Sequence, residues 1–385
     1  MALHDVPGRR GYPSRQASIC KLFLPHEKHG VEKRTVGSIC VMSTKFGRLS
    51  EYPRVPLSVL PTVIQPMPRL SAELGLNLSV KRDDLTGLAF GGNKTRQLEF
   101  YFGAAQAQGA DTIVITGAVQ SNYVRVAAAA AARLGMDMHV QSEERVPDVD
   151  ATYRHSGNIL LGDLLGVHRY AYPSGEDEEG ADKAVQAIAE GLRAEGRRPY
   201  VIPLAPGHPP LGALGYVLAA GEIVAQLQAS GTSIDAIVMG SGSGFSHAGL
   251  LFGLRALGQG MAVHGVCVRR HAQAQAVRIA LQCAELASML GLKAMVSEQD
   301  IKLFDGVLAP GYGQLNPATA DAIVLAARCE GLFLDPVYTG KTMAGLMALA
   351  ANRTLPEGGN VLFLHTGGTP AIFAYGPQLQ HWVEP

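Results

Sequence analysis

The sequence predicts an α/β protein of two lobes, built on parallel or mostly parallel sheets with helices on both faces. Three observations carry that expectation. Short apolar runs of the kind buried in parallel sheets, such as 111–117 and 235–240, alternate with helical stretches of roughly ten to fifteen residues. Turns rich in Gly, Ser and Thr follow several of these runs where helices begin, the position at which open α/β sheets bind ligands. At 385 residues the chain is long for one hydrophobic core, so two lobes are the default.

The elements follow in order. The first 41 residues are basic and polar (Arg9, Arg10, Arg15, Lys21, Lys28, Lys33, Arg34) and lack the apolar stretch of a secretory leader. Met42 precedes the first structured segment, so 1–41 is expected to be a disordered extension or an over-extended start. The run 57–68 is proline-punctuated and extended; 70–74 reads as a short helix and 76–81 alternates like a strand. A helix over 93–108 leads to the strand 111–117, an alanine-rich helix over 124–134 and a strand over 136–141. The region 156–167 reads as a helix around Leu160, Leu161, Leu164 and Leu165, and the acidic segment 174–180 as a solvated loop. Then come a helix over 181–195, a strand from Tyr200, a helix over 212–228, the strand 235–240 and a helix over 247–257. A strand over 262–268, helices over 272–291, 317–330 and 341–352, and a strand over 361–364 complete the series.

Composition excludes several classes. Lys+Arg and Asp+Glu are both 33, so no basic stripe argues for nucleic acid and no charge block for a membrane surface. No uninterrupted apolar run reaches the roughly 18 residues of a spanning helix. The five cysteines (Cys20, Cys40, Cys267, Cys283, Cys329) are odd in number and widely spaced. With no Cys-x-x-Cys pair they suggest neither a disulfide framework nor a metal site, and a reducing cytoplasm is expected.

Lys94 follows Gly91-Gly92-Asn93 at the start of the 93–108 helix, near the positive end of its dipole. There its ammonium is disfavoured, and burial would lower its pKa further; these are the conditions for a nucleophilic or Schiff-base-forming lysine. Four turns offer a site for it. Gly240-Ser-Gly-Ser-Gly-Phe-Ser246 joins a strand to a helix and forms an anion cradle. It lacks the Gly-Lys-Ser/Thr of a nucleotide-binding loop, so a phosphate outside a nucleotide fits better. Thr116–Tyr123 puts Ser121 and Asn122 at a helix mouth, where a simple cap is an equal explanation. Tyr312, between two glycines, and Tyr338 suit a pocket wall better than a core, and His365-Thr366-Gly-Gly-Thr369 ends the last strand. A lysine, a phosphate cradle and pocket hydroxyls together form a pyridoxal-phosphate constellation.

These blocks also carry a resemblance. Lys81-Arg-Asp-Asp, Gly91-Gly-Asn-Lys94-Thr-Arg, Gly117-Ala-Val-Gln-Ser-Asn122 and Leu211-Gly-Ala-Leu-Gly-Tyr216 do so in the first part of the chain. Ser246-His-Ala-Gly249, Ala309-Pro-Gly-Tyr-Gly313, Asp335-Pro-Val-Tyr-Thr-Gly-Lys341 and His365-Thr-Gly-Gly368 do so in the rest. In this order, over about 55–378, the chain resembles the D-cysteine desulfhydrase / 1-aminocyclopropane-1-carboxylate deaminase family of pyridoxal-phosphate enzymes. The resemblance implies fold type II (tryptophan synthase β-like), with a larger cofactor-binding lobe of 42–92 plus 205–385 and a smaller lobe of 93–204. It implies pyridoxal 5′-phosphate as cofactor, a small amino acid as substrate and a homodimer. Lys94 would bind the cofactor covalently and later shuttle the α-proton. Ser121 would meet the substrate carboxylate or assist that shuttle, and Asn122 would bind the cofactor's O3′. Asn93 and the loop Ser241, Gly242, Ser243, Gly244, Phe245 and Ser246 would hold the cofactor, its phosphate on the loop. Tyr312 and Tyr338 would line the substrate side, and Thr366 would lie near the pyridine nitrogen, leaving it unprotonated.

Departures bear on the substrate. Thr339 stands where ring-opening deaminases carry Glu, which argues against that activity. Tyr123 stands where desulfhydrases usually show His; the segment 205–210, with His208, replaces a shorter turn; Phe245 occupies a position usually held by a small residue. His247 is expected in packing or at a helix terminus, and Arg125, Arg154 and His155 as structural ion-pair partners. The leading expectation is β-elimination from D-cysteine to pyruvate, sulfide and ammonia. L-cysteate sulfo-lyase or another β-eliminating or deaminating lyase is the alternative. From another class, the alternative is a non-catalytic small-ligand binding protein on the same fold.

Overall fold

In the computed structural model, which describes residues 44–205 and 207–383, ten strands fall into two sheets. The expected extension 1–41, with Cys20 and Cys40, lies outside the described residues. The strands are β1 (Ile64–Pro66), β2 (Asn77–Arg82), β3 (Thr112–Ala118), β4 (Asp137–Glu143), β5 (His168–Tyr172), β6 (Pro199–Ile202), β7 (Ala236–Ser241), β8 (Ala262–Cys267), β9 (Lys302–Phe304) and β10 (Asn360–His365). Six make a sheet in the order β1-β2-β10-β7-β8-β9 and four make another in the order β5-β4-β3-β6. Only β1 runs antiparallel to its neighbour.

Central strands here are apolar on both faces because helices cover both. The helices are α1 (Pro68–Leu74), α2 (Asn93–Ala107), α3 (Asn122–Leu134), α4 (Ala151–His155), α5 (Asn158–Leu164), α6 (Glu178–Ala194), α7 (Leu214–Ser230), α8 (Phe245–Ala256), α9 (Ala272–Leu290), α10 (Pro317–Glu330), α11 (Thr339–Ala351), α12 (Ala371–Ala374) and α13 (Gly376–Val383). On one face of the six-stranded sheet, Leu250 of α8, Ile223 of α7 and Leu286 of α9 pack with Ile237 and Leu362. On the other, Leu70 of α1, Ala326 of α10 and Leu346 of α11 pack with Val238 and Phe363. Leu98 and Phe102 of α2 and Ala127 and Ala130 of α3 meet Ile113 and Ile115 of the smaller sheet.

The expected strand–helix alternation is present, with boundaries moved by a few residues. Three differences have physical reasons. Strand β5 was not expected, because its edge position leaves His168, Ala171 and Tyr170 exposed and removes the apolar signal. Helix α6 begins at Glu178, inside the segment expected as loop, because the Asp177 carboxylate caps it by accepting from the Gly180 amide. The segment 211–230 is long and apolar enough to cross a membrane, with a mean hydropathy of 1.2. Glu222 interrupts the apolar run, and 67% of that stretch is buried in the core.

The register sets the site. Val361 of β10 pairs with Leu78 of β2 and with Ala236 of β7, and His365 pairs with Arg82. The turns 83–92, 242–244 and 366–369 therefore leave the same edge of the sheet. In the smaller sheet Ala118 pairs with Glu143, and Glu143 with Tyr172, so the turns after β3, β4 and β5 also leave together.

Candidate active site

Lys94 is the second residue of α2, and its position follows from a tightly packed turn. Gly91 and Gly92 have φ of 62° and 116°, which an L side chain rarely adopts. A Cβ on Gly91 would overlap the Asp84 carbonyl, and one on Gly92 would lie 3.0 Å from the Thr366 carbonyl oxygen. The Asn93 amide donates to that same Thr366 oxygen at 3.0 Å, joining the helix start to the turn after β10.

Below the turn a buried ion network fixes α2. Arg96 donates to Asp83 at 2.8 and 3.0 Å and to Glu222 at 2.9 and 3.0 Å. Tyr216 donates to Asp83 at 2.6 Å, and Lys81 to Glu222 at 2.5 Å. Burial alone would raise the Asp83 pKa, but the Arg96 guanidinium outweighs it and holds the carboxyl at about 2.

Lys94 opens onto a cavity whose wall includes Ser121, Asn122, Tyr123, Gly242, Ser243, Tyr312 and Tyr338. Among the described residues no group accepts a hydrogen bond from its amine. The amine lies 5.4 Å from the centre of the Tyr123 ring, and burial lowers its pKa to about 8.

The Gly/Ser loop divides into tethers and lining. The Ser241 hydroxyl, buried, accepts from Gln275 at 2.9 Å and lies 3.1 Å from His247 Nδ1, so it faces away from the cavity. His247 is packed in the interior, where burial takes it down to about 4. Ser246 accepts from Asn93 at 2.8 Å and from Gln97 at 2.7 Å, which leaves its own hydroxyl proton to donate. Gly242 and Ser243 line the cavity; a Cβ on Gly242 would lie 3.2 Å from the Tyr338 ring. Gly244 has φ of 96°, and a Cβ there would overlap the Gln282 side chain. The Phe245 ring packs into the core beside Leu250 and Ile279, so bulk at that position does not narrow the cavity.

Ser121 caps α3 by accepting from the Val124 amide at 3.2 Å while also facing the cavity. Cap and lining coexist because the acceptor lone pair and the hydroxyl proton are separate groups. Asn122 Oδ1 accepts from Arg125 at 2.8 Å and Asn158 at 2.9 Å, which fixes its amide with Nδ2 as the remaining donor. Arg125, expected in an ion pair, instead donates to Asn122, Asn158 and the Gly91 carbonyl. Arg154 does pair, with the exposed Glu144. The Tyr312 and Tyr338 hydroxyls are 3.0 Å apart with rings edge to face, and burial raises both pKa values.

Two expected pocket residues are not brought to this cavity. The Thr339 hydroxyl is buried and bonded to Asp335 at 2.7 Å, because Asp335 gathers the amides of Val337, Tyr338 and Thr339 at the start of α11. His208 lies 3.0 Å from Asp182, in a separate surface hollow with Tyr52 and Tyr200. Thr366 is next to the Gly92 turn through its backbone.

The sequence reading missed three arginines on the cavity wall, Arg145, Arg269 and Arg278. It also missed Glu178, the partner of Arg269 and Arg278, which lies in the segment taken for a solvated loop. Glu178 pairs with Arg269, Arg270 and Arg278 and is half-buried rather than solvated. The adjacent Arg269-Arg270 directly after strand β8 was the available signal.

The profile described as "Pyridoxal-phosphate dependent enzyme" matches residues 55–367. D-cysteine desulfhydrase of Salmonella typhi is 42% identical over 332 residues, 86% of this chain and 98% of that protein. The same-named protein of Salmonella choleraesuis (strain SC-B67) is 42% identical over 331 residues, with the same coverage. Among solved structures, one described as an ACC deaminase homologue superposes with a TM-score of 0.79 at 38% identity, covering 90% of this chain and 99% of that one. O-ureido-L-serine synthase superposes with a TM-score of 0.61 at 19% identity, covering 88% and 96%, a likeness of fold alone.

Proposed function

This chain belongs to the pyridoxal-phosphate dependent enzyme family, and on that premise we propose that it is a lyase that eliminates the β-substituent of a small amino acid, with D-cysteine the substrate and pyruvate, sulfide and ammonia the products. The observation that carries this reading is Lys94: a part-buried amine without a hydrogen-bond acceptor among the described residues, brought down to about 8 and facing a cavity edged by hydroxyls and a Gly/Ser turn.

The chemistry of the cavity fits the cofactor. Lys94 would hold its aldehyde carbon, and the Asn122 Nδ2 donor would meet its ring oxygen. The free Ser246 hydroxyl proton, the Ser243 side chain and the first amides of α8 would hold its phosphate; the dipole of α8 favours an anion there. Asn93 and Ser241 act as tethers in this reading, and Phe245 contributes its amide. Thr366 would lie near the pyridine nitrogen. Bound pyridoxal phosphate supplies an electron sink for the pair left behind when an amino acid loses its α-proton.

The residues of this chain do the rest. With a pKa of about 8, Lys94 Nζ is close enough to neutrality to take the α-proton and return it. Ser121 orients the substrate carboxylate with its free proton. Tyr338 and Tyr312, kept protonated by burial and joined at 3.0 Å, can pass a proton to the departing sulfur. Tyr123 packs its ring against the lysine amine, where desulfhydrases usually place an imidazole. Thr339 is held by Asp335, so no carboxylate enters from that position, which favours elimination over ring opening.

The test is pyruvate release from D- and L-cysteine, cysteate, β-chloroalanine, D-serine and the cyclopropane amino acid. D-cysteine should give the highest kcat/KM. Turnover of the cyclopropane amino acid without D-cysteine activity would overturn the assignment, and a yellow protein that turns over none of them would be a binding protein. Our reading also takes the enzyme to be a cytoplasmic homodimer with lobes of 42–92 plus 205–385 and 93–204. Light scattering should then give twice the 40.7 kDa of one chain.

A further inference from the structure

We propose that the surface hollow beside β6, which holds His208, is a regulatory binding site for a small aromatic carboxylate, and that its occupation slows turnover at the Lys94 cavity. The hollow measures about 480 Å³, within the range of small-molecule sites. It lies where elements of the two sheets meet, a common place for such sites. Tyr200 belongs to β6, and Gln186 and Arg193 to α6, which packs on the four-stranded sheet through Val185, Ala189 and Leu192. Met289 lies on α9, which packs on the six-stranded sheet. Tyr52, ahead of β1, donates to the Met289 carbonyl at 2.9 Å.

The lining sets the chemistry of the ligand. The rings of Tyr52, Tyr101 and Tyr200, with Pro199 and Pro203, give flat apolar walls against which an aromatic ring packs. Arg193 brings a guanidinium that meets no carboxylate among the described residues, and no Asp or Glu lines the hollow. The nearby Asp182 is taken by His208 at 3.0 Å. A carboxylate on the ligand supplies the missing partner, in the two-point contact that a guanidinium favours. His208 and Pro209, from the segment that departs from the family's shorter turn, add to this wall and have no part in the Lys94 cavity.

Tyr101 links the hollow to the lysine. It lies seven residues beyond Lys94 on the same face of α2. Its ring lines the hollow and packs in one buried cluster with Tyr123, whose ring centre is 5.4 Å from the lysine amine. The Tyr101 and Tyr123 hydroxyls are both buried without a hydrogen-bond partner among the described residues, so nothing polar pins either ring. The Lys94 cavity is likewise walled from both sheets, by Ser121 and Asn122 after β3 and by Gly242 and Ser243 after β7. A ligand that ties α6 and β6 to α9 fixes the spacing across that cavity. It thereby slows the parting of the sheets that admits substrate and releases product.

Calorimetric titration of the holoenzyme with phenylacetate tests the site, with phenylacetamide and cyclohexylacetate as probes lacking the charge and the aromatic ring. Phenylacetate should bind once per chain, phenylacetamide about 10-fold more weakly and cyclohexylacetate about fivefold more weakly. Arg193→Met should weaken phenylacetate about 10-fold, and Tyr200→Leu about fivefold. Saturating phenylacetate should lower the wild-type kcat at saturating D-cysteine about fivefold. Arg193→Met, outside the Lys94 cavity, should keep the wild-type kcat and escape this inhibition at the same concentration. No binding to wild type, or unchanged affinity in both variants, overturns the proposal. So does inhibition relieved by excess D-cysteine, which puts the probe in the Lys94 cavity, and so does binding that leaves kcat unchanged. Binding confined to protein diluted to monomers gives the hollow to a second copy and overturns it too. The titration needs no turnover, so failure of the lyase reading and failure of this site are separate results.

Discussion

Two lysines, Lys94 and Lys341, are each lowered to about 8 by burial, and geometry separates them. Lys341 donates to the Leu308 and Gly311 carbonyls at 2.9 and 2.7 Å, so its protons are committed to holding a turn. The Lys94 amine faces the cavity. Its folded pKa lies below its unfolded one, so the protonated form costs stability at pH values under about 8, and the cost is relieved as pH rises toward the unfolded value of roughly 10.4. Lys94→Met in the cofactor-free protein should therefore raise stability at pH 7 by up to about 3 kcal/mol, less whatever solvent in the cavity screens, and the gain should shrink by pH 10. Urea titration at the two pH values checks this. Recapture of the cofactor by the stripped wild type should quicken as pH rises through about 8, followed by absorbance. Tyr338→Phe should lower kcat by about 10²-fold or more on a D-cysteine assay, since it removes a proton donor; an effect confined to KM would contradict that role. Lys94, Ser121 and Asn122 were legible as cavity-lining residues because each sits where a strand leads into a helix, and Tyr312 and Tyr338 because they stand in glycine-bearing turns. Thr339 and His208, expected at the pocket, face elsewhere, and the direction of Phe245 was left open between pointing away and narrowing the site. Which way a side chain points is decided by its folded partners, Asp335 for Thr339, Asp182 for His208 and the core for Phe245, and residue type alone does not name them.

At the scale of elements, helix α2 is held by ions rather than by a cap: Gly92 provides no side-chain cap. Asp83, Arg96, Glu222, Lys81 and Tyr216 lock the first turn of α2 to β2 and α7. Asp83→Asn should cost about 3–5 kcal/mol by leaving Arg96 partly uncompensated in the interior, measured by denaturant unfolding. The Asp83 pKa is depressed in the folded state, so its contribution is present above roughly pH 4 and is lost as pH falls toward 2. The sequence showed Lys81-Arg-Asp-Asp and Arg96 as motif residues, yet gave no sign that Glu222, more than a hundred residues later, completes the network. The same gap hid the Glu178 cluster: an acidic run and an arginine pair look solvated until the fold brings them together.

For the whole molecule, alternation of strands and helices made the doubly covered parallel sheets readable in advance. Strands β5 and β9 and the short helices α4 and α12 were not, since edge strands and single turns carry little apolar periodicity. The two sheets present their turns to one cavity, and we propose that its lysine is the covalent anchor of the cofactor. Reduction of the holoenzyme with borohydride, followed by peptide mass mapping, tests that claim directly. The phosphopyridoxyl mass should fall on Lys94 and not on Lys81 or Lys341; the adduct on either of those lysines, or no adduct in a yellow protein, would show that Lys94 is not the anchor.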